Sequence, residues 1–85
     1  GALQDLTEAV RIKPDCADAY FNRGVARKGL RDLDEALRDF TEAIRLNPNH
    51  ADAYFHRAVA RQDAGDSDGA TNDFTESARL NERFK

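Results

Sequence analysis

The chain has 85 residues, 40% of them hydrophobic and 34% charged, with a net charge of −3. That length allows one small domain near the lower limit for a self-sufficient core. Acidic residues are interleaved with the thirteen Lys and Arg, so the clustered positive face that nucleic acid or an anionic membrane rewards is missing. No apolar run is long enough for a transmembrane helix or a signal segment. A single cysteine, Cys16, precludes an intramolecular disulfide and points to a reducing, intracellular and cytoplasmic setting.

In chain order, apolar spacing predicts five helices, at about 2–12, 18–29, 34–46, 52–64 and 68–81. In the first, Ala2, Leu3, Leu6, Ala9 and Val10 recur every three or four residues and form one stripe. Lys13-Pro14-Asp15 ends it, because proline lacks the helical donor and clashes with the preceding turn. The second helix is rich in Ala and Arg, with Tyr20, Gly24 and Arg27 on one face. A mid-helix glycine costs about 1 kcal/mol relative to alanine, so close helix packing is the expected reason for Gly24. The third helix carries the stripe Ala36, Leu37, Phe40, Ala43 and Ile44, and Asn47-Pro48-Asn49 ends it. The fourth repeats the second, with Tyr54, Ala58 and Arg61 on one face. The fifth has Ala70, Phe74, Ser77, Ala78 and Leu80, a weaker stripe because Thr71 and Ser77 replace apolar residues.

Asp15-x-x-Asp18, Asn49-x-x-Asp52 and Asp32-x-x-Glu35 read as capping boxes, whereas Asp66-x-x-Gly69 lacks the acidic partner and predicts a less well held start. Gly29 and Gly65 mark the turns inside the hairpins. They stand two positions out of phase, so the two turns are expected to differ. Connections of three to six residues force neighbouring helices to be antiparallel.

Residues 17–50 and 51–84 are two copies of one 34-residue unit, identical at 19 positions without a gap. Residues 2–16 match 36–50 at 8 of 15 positions. A period of this length means stacked units, each burying its apolar face on its neighbours, and suggests a binding surface and no catalytic pocket.

The unit resembles the tetratricopeptide repeat through Tyr20, Gly24, Ala36, Phe40, Ala43 and Pro48, and through Tyr54, Ala58, Ala70 and Phe74. Ala2, Leu6, Ala9 and Pro14 supply the second helix of a partial repeat. Ser77 and Glu82 depart from the family's Ala and Pro. The resemblance implies an all-α, right-handed α-solenoid of antiparallel helix–turn–helix units. One domain of about two and a half units is expected over 1–85: a lone second helix in 1–16, then full units at 17–50 and 51–85 with no capping helix. Gly1, where the register expects an acidic residue, reads as a cloning remnant.

Arg23 and Arg57 stand where the family usually has leucine, and Arg27 and Arg61 where it has tyrosine. An unpaired charge in a helix seam is very costly, so a carboxylate is required. The repeated register offers Asp5, Asp39 and Asp73: Arg23 is expected to pair with Asp39 or Asp5, and Arg57 with Asp73 or Asp39. The alternative is that these arginines snorkel to solvent.

The resemblance also implies that first helices line a concave groove. The groove positions here are Asp18, Phe21, Asn22, Val25, Lys28, Asp52, Phe55, His56, Val59 and Gln62. Phe21, Val25, Phe55 and Val59 would form an apolar strip, unless the phenylalanines pack internally. The expected role is therefore a protein-interaction module that binds a peptide or partner protein. Of the family's carboxylate clamp only Asn22 fits, because Asp52 and His56 stand where Lys and Arg are expected; acidic-tail binding is not expected.

Nothing suggests an enzyme. There are no residues at metal-ligand spacing, no glycine-rich phosphate loop and no cofactor motif. His50 reads as a turn residue and His56 as a lone surface histidine. Acidic neighbours disfavour a reactive Cys16. The alternative role is a segment of a longer solenoid that acts in spacing or self-association through uncapped terminal helices, as a homo-oligomer. RNA reading by Arg23, Arg27, Arg57 and Arg61 is a distant third, because acidic residues offset that stripe.

Overall fold

Five helices in chain order make up the fold: α1 (Ala2–Ile12), α2 (Ala17–Gly29), α3 (Leu33–Leu46), α4 (Ala51–Asp63) and α5 (Ser67–Arg83). They come from a computed structural model that describes residues 2–83. Gly1, read above as a cloning remnant, lies outside the described residues. The stacking order is sequential: α2 on α3, α3 on α4, α4 on α5, and α1 on α2. The first helices α2 and α4 also touch each other, whereas no two of α1, α3 and α5 meet among the described residues. The array is thus drawn together on its α2/α4 side and splayed on the other.

Its shortest dimension is 17 Å, about the depth of two helix layers packed roughly 8–10 Å apart. The core is accordingly thin and dominated by alanine. Ala36, Phe40 and Ala60 form its centre, with Phe21, Val25, Leu33 and Leu37 packed against them. Phe40 and Leu80 are the largest fully buried side chains. Gly24 is required by this packing: a Cβ there would stand 2.7 Å from Phe40 Cε1, so α2 reaches α3 only without a side chain.

The arginine pairing holds, and it recruits more partners than the spacing indicated. Arg23 donates to Asp39 through Nε at 3.0 Å and Nη2 at 2.8 Å. Arg27 Nη1 donates to the same carboxylate at 3.2 Å and to Glu35 at 3.3 Å. The next unit repeats this, with Arg57 on Asp73 at 2.9 and 2.8 Å and Arg61 Nη1 on it at 2.9 Å. Asp39 and Asp73 are each only 3% exposed. Each buried carboxylate is gripped by two guanidiniums one helical turn apart, so the arginines do not snorkel. The guanidiniums of Arg23 and Arg57 also lie 5.6 and 5.5 Å from the ring centres of Tyr20 and Tyr54. Asp5 takes no part.

Several expected caps are corrected. The residues at the starts of α2 and α4 are Cys16 and His50, one position after Asp15 and Asn49. Cys16 makes no side-chain cap, but His50 Nδ1 accepts the Ala53 N–H at 3.1 Å. Asp32 precedes α3 without a side-chain cap. The start expected to be weak is held: Asp66 accepts the Gly69 N–H at 2.9 Å. Ser77, read as a flaw in the apolar stripe, is buried and donates its hydroxyl to the Ala51 carbonyl at 3.0 Å.

The two internal turns do not differ as the glycines suggested. In one, Asp32 N–H bonds the Arg27 carbonyl and Arg31 N–H bonds that of Lys28; in the other, Asp66 bonds Arg61 and Gly65 bonds Gln62. Both are Schellman turns, which need a left-handed residue one position past the C-cap, here Leu30 and Ala64. Gly65 supplies it at φ 91°, and Arg31 takes the same place at φ 65°. Gly29 lies inside the last turn of α2. A side chain with positive φ costs about 1 kcal/mol or more. Arg31→Gly is therefore expected to stabilise the chain by about 0.5–1 kcal/mol in urea denaturation. Destabilisation would mean that the exposed Arg31–Asp63 pair at 3.2 Å outweighs the backbone strain.

Candidate functional site

Where α2 meets α4, the two helices are stitched by histidines. His50 spans from its capping position to α2: Nε2 is 2.9 Å from Asp18 Oδ1 while Nδ1 accepts the Ala53 N–H. This pair of bonds assigns the ring proton to Nε2, donating to Asp18. Farther along, Lys28 Nζ donates to His56 Nδ1 at 2.9 Å. Phe21 sits between these bridges, with its ring centre 4.8 Å from that of His50, 5.2 Å from His56 and 6.0 Å from Phe40.

The sequence-derived groove residues therefore divide. Phe21 and Val25 are half-buried and pack on the core cluster. Lys28 and His56 engage each other, and Val59 is half-buried. Asp18, Asn22, Asp52 and Gln62 are exposed. Phe55 is 48% exposed and rests edge-on against Phe74 at 5.5 Å between ring centres. It is the one aromatic of the proposed strip that keeps a large free surface. Sequence reading missed His50, since the same register holds Cys16 at the end of the partial unit and so carries no repeated signal.

Burial pushes the His56 pKa below its usual 6.5, the Lys28 ammonium and His50 push it further down, and Asp52 opposes them. His56 is thus neutral near pH 7, which suits its role as acceptor from Lys28. Among the described residues no group of three or more His, Cys, Asp and Glu is placed to hold a metal, and no helix is long and apolar enough to cross a membrane.

Two tetratricopeptide repeat profiles match the chain, one over residues 17–50 and one over 40–71. The chain belongs to the tetratricopeptide repeat family. Solved structures agree in fold. The Arabidopsis OM64 TPR domain superimposes with a TM-score of 0.93 at 28% identity, over 96% of this chain and 68% of that one. MamA MSR-1 C2 gives 0.88 at 28% identity, over 94% and 46%. MamA 41-end from Desulfovibrio magneticus RS-1 gives 0.90 at 25%, over 95% and 46%. The chain thus spans about half the length of the MamA structures it matches. No curated protein matches it in sequence. Its membership makes the tetratricopeptide repeat chain a protein-interaction module in general terms, of a kind that is generally non-enzymatic.

The His56 environment makes stability pH-dependent. Its native pKa lies below the unfolded value, so the unfolded chain binds the proton more readily and stability falls as pH drops below about 6.5. Protonation also sets an imidazolium against the Lys28 ammonium. In thermal unfolding between pH 7.5 and about 5, wild type is expected to lose more stability than His56→Gln. Parallel curves for the two proteins would contradict the assignment.

Proposed function

We propose that the α2/α4 face binds a peptide segment of a partner protein. The observation that carries this reading is the exposure of Phe55 on a face otherwise lined by Asp18, Asn22, Asp52 and Gln62. A large aromatic surrounded by polar side chains is what an interface anchor looks like before its partner arrives. The polar residues offer donors and acceptors to a peptide backbone, and Asp18 and Asp52 favour a cationic side chain. Phe21 and Val25 support this face from beneath, and the Lys28–His56 and Asp18–His50 bridges fix the spacing of the two helices.

Spacing or self-association in a longer solenoid is the second reading. It draws on Ile12 and Leu30, which are 64% and 66% exposed. The RNA reading loses its support, because Arg23, Arg27, Arg57 and Arg61 are each paired with a buried carboxylate.

A displayed random-peptide library selected on the chain supplies the test. Phe55→Ala is expected to weaken the selected peptides at least about tenfold, as an anchor truncation does, with the circular dichroism spectrum unchanged. Equal binding by wild type and Phe55→Ala would overturn the proposal, as would selection of no peptide.

A further inference from the structure

The seam between α2 and α4 carries a proton-sensitive contact laid over the packing of the repeat. The residues that pack the two full units recur: Phe21, Arg23, Val25 and Arg27 of α2 stand again as Phe55, Arg57, Val59 and Arg61 of α4. The residues that bridge the two helices do not recur. His56 has Asn22 as its counterpart, Lys28 has Gln62, and His50 has Cys16. The bridges are thus particular to this one seam.

The two bridges respond to a proton in opposite ways. At the start of the helices, His50 Nε2 lies 2.9 Å from Asp18 Oδ1 and Nδ1 accepts the Ala53 N–H. A proton on Nδ1 removes that cap but sets an imidazolium against the Asp18 carboxylate, so α2 and α4 stay joined there. Farther along, Lys28 Nζ donates to His56 Nδ1 at 2.9 Å. This bond exists only while His56 is neutral, because an ammonium cannot accept and an imidazolium has no free nitrogen. A proton on Nδ1 turns the contact into two cations at hydrogen-bond distance. From α2, His56 also meets the Phe21 ring, from α3 the Phe40 ring at 6.1 Å, and from its own helix Phe55. Of the charged groups around it, Asp52 favours the proton, whereas Lys28 and His50 oppose it. The next tie along the seam, Arg31–Asp63 at 3.2 Å, is exposed and weak.

We infer that His56 is a proton-operated latch on the α2/α4 face. While neutral it holds Lys28 and closes the far end of the seam. Once protonated it expels Lys28, and the helices part at that end about the Asp18–His50 bridge. The consequence, which rests on the peptide-binding reading of this face, is release of a bound peptide in acid. At neutral pH Asp18 and Asp52 make the face acidic, and Lys28 is tied to α4. Acidification adds an imidazolium and frees an ammonium beside them, so a cationic peptide is repelled.

NMR on the chain without ligand tests the latch. Nuclear Overhauser contacts are followed from Lys28 Hε to His56 Hε1 and from the Phe21 ring to the His50 ring, at about pH 7.5 and about pH 5. The first contact is expected to vanish as His56 titrates, and the second to persist with the circular dichroism spectrum unchanged. His56→Gln, whose amide oxygen accepts from Lys28 but takes no proton, is expected to keep its Lys28 contact at both pH values. Retention of the Lys28–His56 contact in acid would overturn the inference. So would loss of both contacts together, including by unfolding of the whole chain. For release, the probe is a peptide selected from the displayed library at neutral pH. Its affinity for wild type is expected to fall at least about tenfold between the two pH values, and for His56→Gln at most about twofold. Equal losses would also overturn the latch, yet leave peptide binding on this face standing. Selection of no peptide would remove that reading alone, and the ligand-free contacts would still decide the latch.

Discussion

The buried carboxylate gripped by two arginines is the interaction on which the rest of the structure depends. An alanine core supplies little transfer energy per residue and few shapes that exclude a shifted packing. Asp39 and Asp73 supply the discrimination. Sliding α2 along α3 by two turns would carry both Arg23 and Arg27 away from Asp39 and leave a carboxylate buried and unpaired. Such a state is far more costly than the native pair is favourable. The clamp therefore acts mainly on register and less on net stability. It operates with the Gly24–Phe40 approach, which sets how close the two helices come.

Once register is fixed, the α2/α4 side follows. The arginines point into the hairpins, so cationic side chains are withdrawn from the surface where a ligand would meet the first helices. What remains outward is acidic and amide-bearing, with Phe55 as its apolar feature. Histidine bridges then hold α2 beside α4, and Phe21 fills the space between them.

Much of this was legible in the sequence, and the limits have physical causes. Helix positions followed from a 3.6-residue period reinforced by repetition, and the observed bounds differ from the expected ones by a residue or two. The Arg–Asp pairing was legible because both partners recur in one register and burial leaves charge no other resolution. Caps were misplaced by one residue because capping depends on the backbone angles of a single position, and Asp, Asn, Cys and His all occur nearby. The turn geometry was hidden because Arg31 occupies a left-handed site that composition would give to glycine. The burial of Phe21 depended on His50 and His56, residues distant in sequence and absent from the repeated pattern.

A double-mutant cycle on Arg23 and Asp39, using Arg23→Gln and Asp39→Asn in urea denaturation, tests the clamp most directly. Each single change is expected to cost more than about 2 kcal/mol, and the pair together at least about 1.5 kcal/mol less than the two costs added. Additivity within about 0.5 kcal/mol would show that the two residues stabilise the hairpin independently, and would contradict the clamp.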